Sequence, residues 1–274
     1  MRSPRSSPRC AAEAVSLPEH VIALLILAAL LAGWVDAVVG GGGLIQLPGL
    51  LLGMPSDTPV ASVAGTNKVS SFAGTLSAAG AYLRSVRVHW ASALAVMAGS
   101  CLGSSAGAHL VQYLPRRWFI PIVLVVLIGV GILTWRRPSM GLESRVRHRG
   151  RGLYLRLVGI GLAIGCYDGA IGPGTGTFFV IALVGLIGYG FLEASAMAKL
   201  ANLTTNAAAL VVFWVDGVIW WRLGLMMAAA NVVGGVVGAR MAVRGGNRFV
   251  RRVFLVVVAG LTIKLGWDLV SQWI

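Results

Sequence analysis

Charge is scarce in this chain of 274 residues. Only 12 % are Asp, Glu, Lys or Arg, about half the ~25 % of an average soluble domain. A water-soluble globule must cover its surface with polar groups, so this scarcity excludes one. The 57 % of apolar residues excludes a disordered chain as well. Acidic groups are the scarcest, with Asp and Glu numbering 9 against 23 Lys and Arg. Lysine is nearly missing too: 20 of those cations are Arg, leaving Lys68, Lys199 and Lys264. Three cysteines (Cys10, Cys101, Cys166) without paired spacing support neither a disulfide framework nor a zinc site. Four scattered histidines, with no H-E-x-x-H, no G-x-S-x-G and no Walker loop, leave no nucleophile, metal cluster or nucleotide site. The expectation is a protein that is not an enzyme and takes no cofactor or metal.

What is present is long apolar sequence, with a mean hydropathy of +0.82. The solvent of such a chain is largely lipid. The net charge of +14 invites a nucleic-acid reading, but the arginines sit at the ends of apolar runs, where positive-inside loops and lipid headgroups account for them. No nucleic-acid partner is expected; the lipid bilayer is. Apolar segments fall at about 20–40, 43–54, 59–82, 90–113 and 117–135, then at 153–172, 175–190, 193–214, 218–242 and 249–272. Most are long enough to cross a ~30 Å hydrocarbon core at 1.5 Å per residue. The second of each set is short and begins at a glycine cluster. A signal peptide at the first run is set aside, because the same segment type returns near residue 160.

The two sets repeat. Gly33, Trp34 and Asp36 lie against Gly165, Cys166 and Asp168 at a shift of 132; Lys68, Trp90, Gly103, Gly107 and Arg117 lie against Lys199, Trp221, Gly234, Gly238 and Arg248 at a shift of 131. Internal repeats are how many transporters are built. The expected fold is therefore all-α and polytopic: about eight transmembrane helices in two homologous four-helix repeats, each with a glycine-broken or re-entrant segment. The expected divisions are a disordered cytoplasmic tail at 1–18, a first transmembrane repeat at 19–135, a basic linker at 136–152 and a second repeat at 153–274. If the short segments only re-enter, the linker with its six arginines shares the cytoplasmic side with both termini. If they span, the halves are inverted and the linker sits opposite. The first arrangement is preferred; Arg244, Arg248, Arg251 and Arg252 speak against it, because it places them outside.

Three groups could carry chemistry. The glycine runs, Gly40 to Gly43 with Gln46 beyond and Gly172, Gly174, Thr175, Gly176 and Thr177 in the second half, interrupt helices at a cost of roughly 1 kcal/mol per glycine. A break followed by a new half-helix aims free N–H groups and a positive dipole end at one point, a ready anion site. Close helix packing is the alternative use of the same glycines, and the one assigned to the stripes Gly99, Gly103, Gly107 and Gly161, Gly165, Gly169. The second group is Thr66, Asn67 and Lys68, with Lys199, Asn202, Thr204, Thr205 and Asn206 as counterpart. A lysine at helix centre costs ~2.5–3.5 kcal/mol, so it needs a task, a partner, or a route by which its stem reaches the interface. Third, Asp36 and Asp168 each stand four residues before a break. They could pair with a lysine, coordinate backbone N–H groups at the break, or exchange a proton during transport; a structural ion pair holding the break is the plainer use.

Residues 33–48 (GWVDAVVGGGGLIQLP), residues 64–68 (AGTNK) and the Tyr82, Arg84, Val88 stretch resemble the TauE/SafE sulfite exporter family, also called the toluene sulfonate uptake permease superfamily. The resemblance covers roughly residues 20–272; the second half keeps the glycine break and Lys199 but not the full Thr-Asn-Lys. It implies a bacterial or archaeal inner-membrane transporter of small sulfur oxyanions such as sulfite and sulfonates. Together with the residues, it makes the expected function a secondary transporter, and an exporter, of small anions in the bacterial inner membrane, with both termini cytoplasmic. The alternatives are an anion channel and a membrane assembly partner without transport. The expected partner is the small anion, and a homo-oligomer is compatible with the sequence. Lys68, Asn67, Thr66, Gly41, Gly42, Gly43, Gln46, Gly174, Thr175, Gly176, Thr177, Lys199 and Asn202 are the expected anion-binding residues. Asp36 and Asp168 are expected to gate or to couple protons.

Overall fold

Long apolar runs satisfy their backbone in lipid within a single segment as helices, and the computed structural model is built of helices among its described residues. It describes residues 17–55, 57–110, 144, 146 and 150–271. Residues 1–16 of the expected tail, the apolar segment 117–135 and most of the linker lie outside the described residues.

Eight helices are seen among them: α1 (Glu19–Val39), α2 (Gly43–Gly53), α3 (Val60–Leu83), α4 (Trp90–Leu110), α5 (Arg151–Ala170), α6 (Thr175–Ala182, prolonged by a π-helical turn Leu183–Ile187), α7 (Phe191–Val215) and α8 (Trp221–Ser271). Pro18 and Pro59 stand just before α1 and α3, where a missing N–H costs nothing. Gly246, at φ 63°, breaks α8 into two arms. Among the described residues, five stretches are long and apolar enough to cross a bilayer: α1, α4, α5, α7 and Trp221–Val257 of α8. The chain is a polytopic membrane protein. The 24 residues of α3 would also span, but its polar side chains Ser62, Thr66, Asn67, Lys68, Ser70 and Thr75 lower its hydropathy. All six are buried, so α3 sits inside the bundle while Leu24, Leu27 and Leu31 of α1 face outward to lipid.

Close approaches fix the helix directions. A Cβ on Gly99, Gly103 or Gly107 of α4 would strike the carbonyl of Val158, Leu162 or Cys166 of α5, so these two helices run parallel. On the other side of the molecule, Gly234 and Gly238 of α8 meet the carbonyls of Leu30 and Trp34 of α1, again in parallel. Gly103 over Leu162 and Gly234 over Leu30 are the same contact in the two repeats, at the register read from the sequence. Each half thus lends its fourth helix to the first helix of the other. Within the first half, α2 folds back along α1, with Gly49 against Leu25 and Ala28 and Gly53 against Val21.

That fold-back corrects the preferred topology. α3 starts where α1 starts and runs parallel to α8, with Thr66 beside Trp220, Val69 beside Gly224 and Gly74 beside Asn231. It runs antiparallel to its own repeat mate α7, with Gly65 beside Phe213 and Lys68 beside Asn206. The halves are inverted, not parallel. Glu19, Trp220 and Met54 lie at one end of the bundle, hereafter proximal. The start of α5 and the start of α7 lie at the other, distal end, where Ser144 of the linker donates to Glu193 (2.7 Å). Beyond Gly246 the last arm turns back: Asn247 accepts from the Leu192 N–H, Phe254 packs on Phe191, and Val257 reaches the glycine break at Gly41. The linker therefore does not share an end with α1, and the physical reason is that each short segment reverses the chain instead of adding nothing to it. Glu19 and Ser144 are both exposed. In a background with Cys10, Cys101 and Cys166 replaced, Glu19→Cys and Ser144→Cys should react with an impermeant thiol reagent from opposite faces of the membrane. Labelling of both from one face would contradict the inversion.

Candidate functional site

The two helix breaks use the same device. α1 is closed by Gly40 in the left-handed region (φ 85°), whose N–H returns to the Asp36 carbonyl at 2.8 Å. Its mate Gly172 has φ 87° and donates to Tyr167 O at 3.2 Å. Only glycine adopts that backbone without strain. The breaks also touch: Thr177 N–H donates to Gly40 O (3.1 Å), its hydroxyl to Val39 O (2.9 Å), and Gly40 lies so close to Gly176 that a Cβ on either would enter the other's backbone.

Around this junction lies a small polar cavity. Its walls carry Asp36, Gly40 and Gly43 from the first break, Asp168, Gly172, Gly174, Thr175 and Gly176 from the second, and Asn67, Lys68, Ser71, Asn202 and Asn206 from α3 and α7. The N–H groups of Gly43, Thr175 and Gly176 donate to no backbone carbonyl among the described residues. Both half-helices therefore present free donors and a positive dipole end there.

Two ion pairs cross between the halves. Lys68 Nζ of α3 lies 2.7 Å from Asp168 Oδ2 of α5 and donates to Asn206 Oδ1 at 3.0 Å. Lys199 Nζ of α7 lies 2.8 Å from Asp36 Oδ2 of α1 and also donates to the Asp36 carbonyl. Thr75 approaches Asp36 Oδ2 at 3.4 Å. The pairs are repeat mates, as are Thr75 and Asn206. Lys68, Asp168 and Lys199 are 4 %, 2 % and 1 % exposed. That excludes the reading in which the lysines reach out to the membrane surface: each points inward to a carboxylate.

The structure brings together Lys68, Asn67, Asn202, Gly43, Gly174, Thr175, Gly176, Asp36 and Asp168 on the cavity wall. It sets the rest aside. Lys199 lies behind Asp36, outside the wall. Thr66 accepts the Trp220 N–H, and Thr177 ties the two breaks together. Gly42 packs on Ala32 and Asp36, and Gly41 meets Val35 and Val257. Gln46 accepts from Asn231 Nδ2 at 2.7 Å, away from the cavity, and its own Nε2 has no partner among the described residues. Two further wall residues, Ser71 and Asn206, are not among the expected anion-binding residues. Applying the 131-residue shift to Asn202 and Thr75 finds both. Among the described residues no three His, Cys, Asp or Glu side chains gather as a metal-binding group.

Residues 25–265 match the family described as sulfite exporter TauE/SafE. The chain is 34 % identical over 247 residues to a probable membrane transporter protein, ORF9, of Sinorhizobium sp., covering 90 % of this chain and 92 % of that one. It is 33 % identical over 248 residues to the probable membrane transporter protein YfcA of Escherichia coli K12, covering 90 % of each. A probable membrane transporter protein of Haemophilus influenzae is also 33 % identical, over 90 % of this chain and 95 % of its own length. No solved structure matches the chain.

Breaking a buried pair strands a charge, which costs about 3–5 kcal/mol, whereas removing both charges together is close to neutral. Lys68→Met alone should therefore lower the melting temperature in detergent clearly, and adding Asp168→Asn should restore most of it. A double variant less stable than either single one would contradict the pairing.

Proposed function

The chain belongs to the sulfite exporter TauE/SafE family, a family of membrane transporters and not of enzymes, and from that premise we propose that it is a secondary transporter exporting small anions, with sulfite, sulfonates and related sulfur oxyanions as the cargo class. The observation that carries this reading is the convergence of two half-helix starts and Lys68 on one small cavity. The free N–H groups of Gly43, Thr175 and Gly176 and the amides of Asn67, Asn202 and Asn206 supply donors for oxyanion oxygens. Lys68 supplies the charge, as a compact cation suited to a small anion.

Charge balance constrains the mechanism. Lys68 is already neutralised by Asp168, and Lys199 by Asp36. An arriving anion must take over Lys68 from Asp168, and a buried carboxylate left unpaired beside an anion is strongly disfavoured. The release of Lys68 is easiest when a proton neutralises Asp168. Uptake of the anion is then linked to a proton, and transport needs no nucleotide.

The arginines suggest the orientation. Of the ten described, nine (Arg84, Arg87, Arg151, Arg156, Arg240, Arg244, Arg248, Arg251, Arg252) lie toward the distal end, and Arg222 alone toward the proximal end. By the positive-inside rule the distal end, with the linker, faces the cytoplasm of a bacterial inner membrane. The start of α1 then faces outward, in place of the expected cytoplasmic termini. The four arginines that opposed the parallel arrangement now sit on the same side as the linker.

In proteoliposomes, sulfite or methanesulfonate flux should saturate and should follow an imposed proton gradient. Lys68→Met, inserted normally, should lower it at least about tenfold, the loss of a charge-assisted contact worth ~1.5–3 kcal/mol. A non-saturating conductance, or full flux in Lys68→Met, would overturn the proposal.

A further inference from the structure

The two aspartates at the breaks are repeat mates, yet their second carboxylate oxygens differ. Asp168 Oδ1 lies 2.7 Å from the hydroxyl of Thr175, and the same hydroxyl lies 2.6 Å from the carbonyl oxygen of Gly172. A threonine hydroxyl has one proton, which it gives fully to one of these acceptors or divides between both in weaker bonds. If it donates fully to Asp168, it stands against the Gly172 carbonyl, oxygen to oxygen at hydrogen-bond distance, with no proton between them. If it donates fully to Gly172, the same conflict moves to Asp168. Both contacts become full hydrogen bonds only when a second proton is present. Asp168 is the group that can hold it: its Oδ1–H donates to Thr175 Oγ1, and Thr175 donates to Gly172 O.

We infer that Asp168 Oδ1, Thr175 and the Gly172 carbonyl form a proton-binding site, and that Asp168 rather than Asp36 carries the coupled proton. This rests on the reading of the cavity as an anion site and says which of the two acids serves it. The repeat mate of Thr175 is Gly43, which has no side chain, so Asp36 lacks this partner. Asp36 instead holds Lys199 through its carboxylate and its carbonyl together, a doubly made contact suited to joining α7 to α1.

The charged and titratable groups near Asp168 agree with this division. α3 presents Lys68; α7 presents Asn206, which is neutral; α6 presents Thr175; and on α5 itself Tyr167 donates its hydroxyl to Pro173 O at 2.7 Å. Asp36 shares the cavity wall. The step balances. Before loading, the site holds Lys68 cationic and Asp168 anionic, with the one Thr175 proton divided between Asp168 and Gly172. After loading, it holds Lys68 cationic, Asp168 neutral and one monovalent anion, with Asn206 still on Lys68. No net charge is added, so one proton enters with each monovalent anion. Thr175 is a positioning residue: it holds the proton on Asp168 and need not touch the anion.

The ligand-free test is infrared difference spectroscopy on the reconstituted full chain upon acidification. Wild type and Thr175→Ser should show the band of a hydrogen-bonded, protonated carboxyl. Thr175→Val should shift it to the frequency of a free carboxyl, Asp168→Asn should remove it, and Asp36→Asn should leave it in place. Loss of the band in Asp36→Asn but not in Asp168→Asn, no such band in wild type, or no shift in Thr175→Val would each overturn the inference. With methanesulfonate as probe, wild type and Thr175→Ser should move one proton per anion, and Thr175→Val should lose that ratio. Methanesulfonate flux without protons in wild type would also overturn it. The band pattern as expected with no flux of methanesulfonate or sulfite would instead sink the anion reading and leave the proton site standing.

Discussion

Two buried lysine–aspartate pairs, each reaching from one half of the chain to the other, hold the molecule in its arrangement. A lysine inside a membrane protein costs several kcal/mol unless it is paired, and neither Lys68 nor Lys199 has its partner in its own repeat. Lys68 needs Asp168 and Lys199 needs Asp36. Each aspartate stands one turn before a glycine break, so satisfying the lysines brings both breaks to the middle of the bundle. The cavity, its free N–H groups and its amide rim follow from that requirement.

Helix packing obeys the same exchange. The glycine stripe of α4 receives α5 and that of α8 receives α1, at contacts related by the repeat register. A half built alone would leave its first and fourth helices without their closest neighbours and its lysine without an acid. Inverted halves that interlock in this way place two equivalent sites back to back. Here they are not identical: Lys68, Asp168 and Asn206 lie on the cavity wall, while Lys199 is closed off behind Asp36.

Much of this was legible in the sequence. Segment limits were readable within a few residues, because proline, glycine and charge mark helix ends in lipid as they do in water. The repeat register was readable too, because charged and glycine positions rarely coincide by chance. The direction of the halves was not. It turns on whether an eleven-residue helix reverses the chain, and α2 has the same composition whether it re-enters or returns along α1. The roles of single glycines were hidden for a similar reason. Gly42 and Gly174 are mates, but the first packs on α1 and the second faces the cavity, a difference set by tertiary neighbours. Crossed pairing of lysine and aspartate was likewise beyond a reading in which either acid could serve either base. α3 shows the converse: its polarity made it a poor span by hydropathy and the richest source of cavity side chains.

Whether an anion displaces Asp168 from Lys68 and brings a proton with it is decided most directly by calorimetric titration of the purified protein with methanesulfonate, a fully ionised monoanion, in two buffers of different ionisation enthalpy. The account predicts saturable binding whose apparent heat depends on the buffer, corresponding to about one proton taken up per anion, with binding lost in Lys68→Met and the proton uptake lost in Asp168→Asn. Binding of equal strength in Lys68→Met, or a wild-type heat that is the same in both buffers, would contradict it.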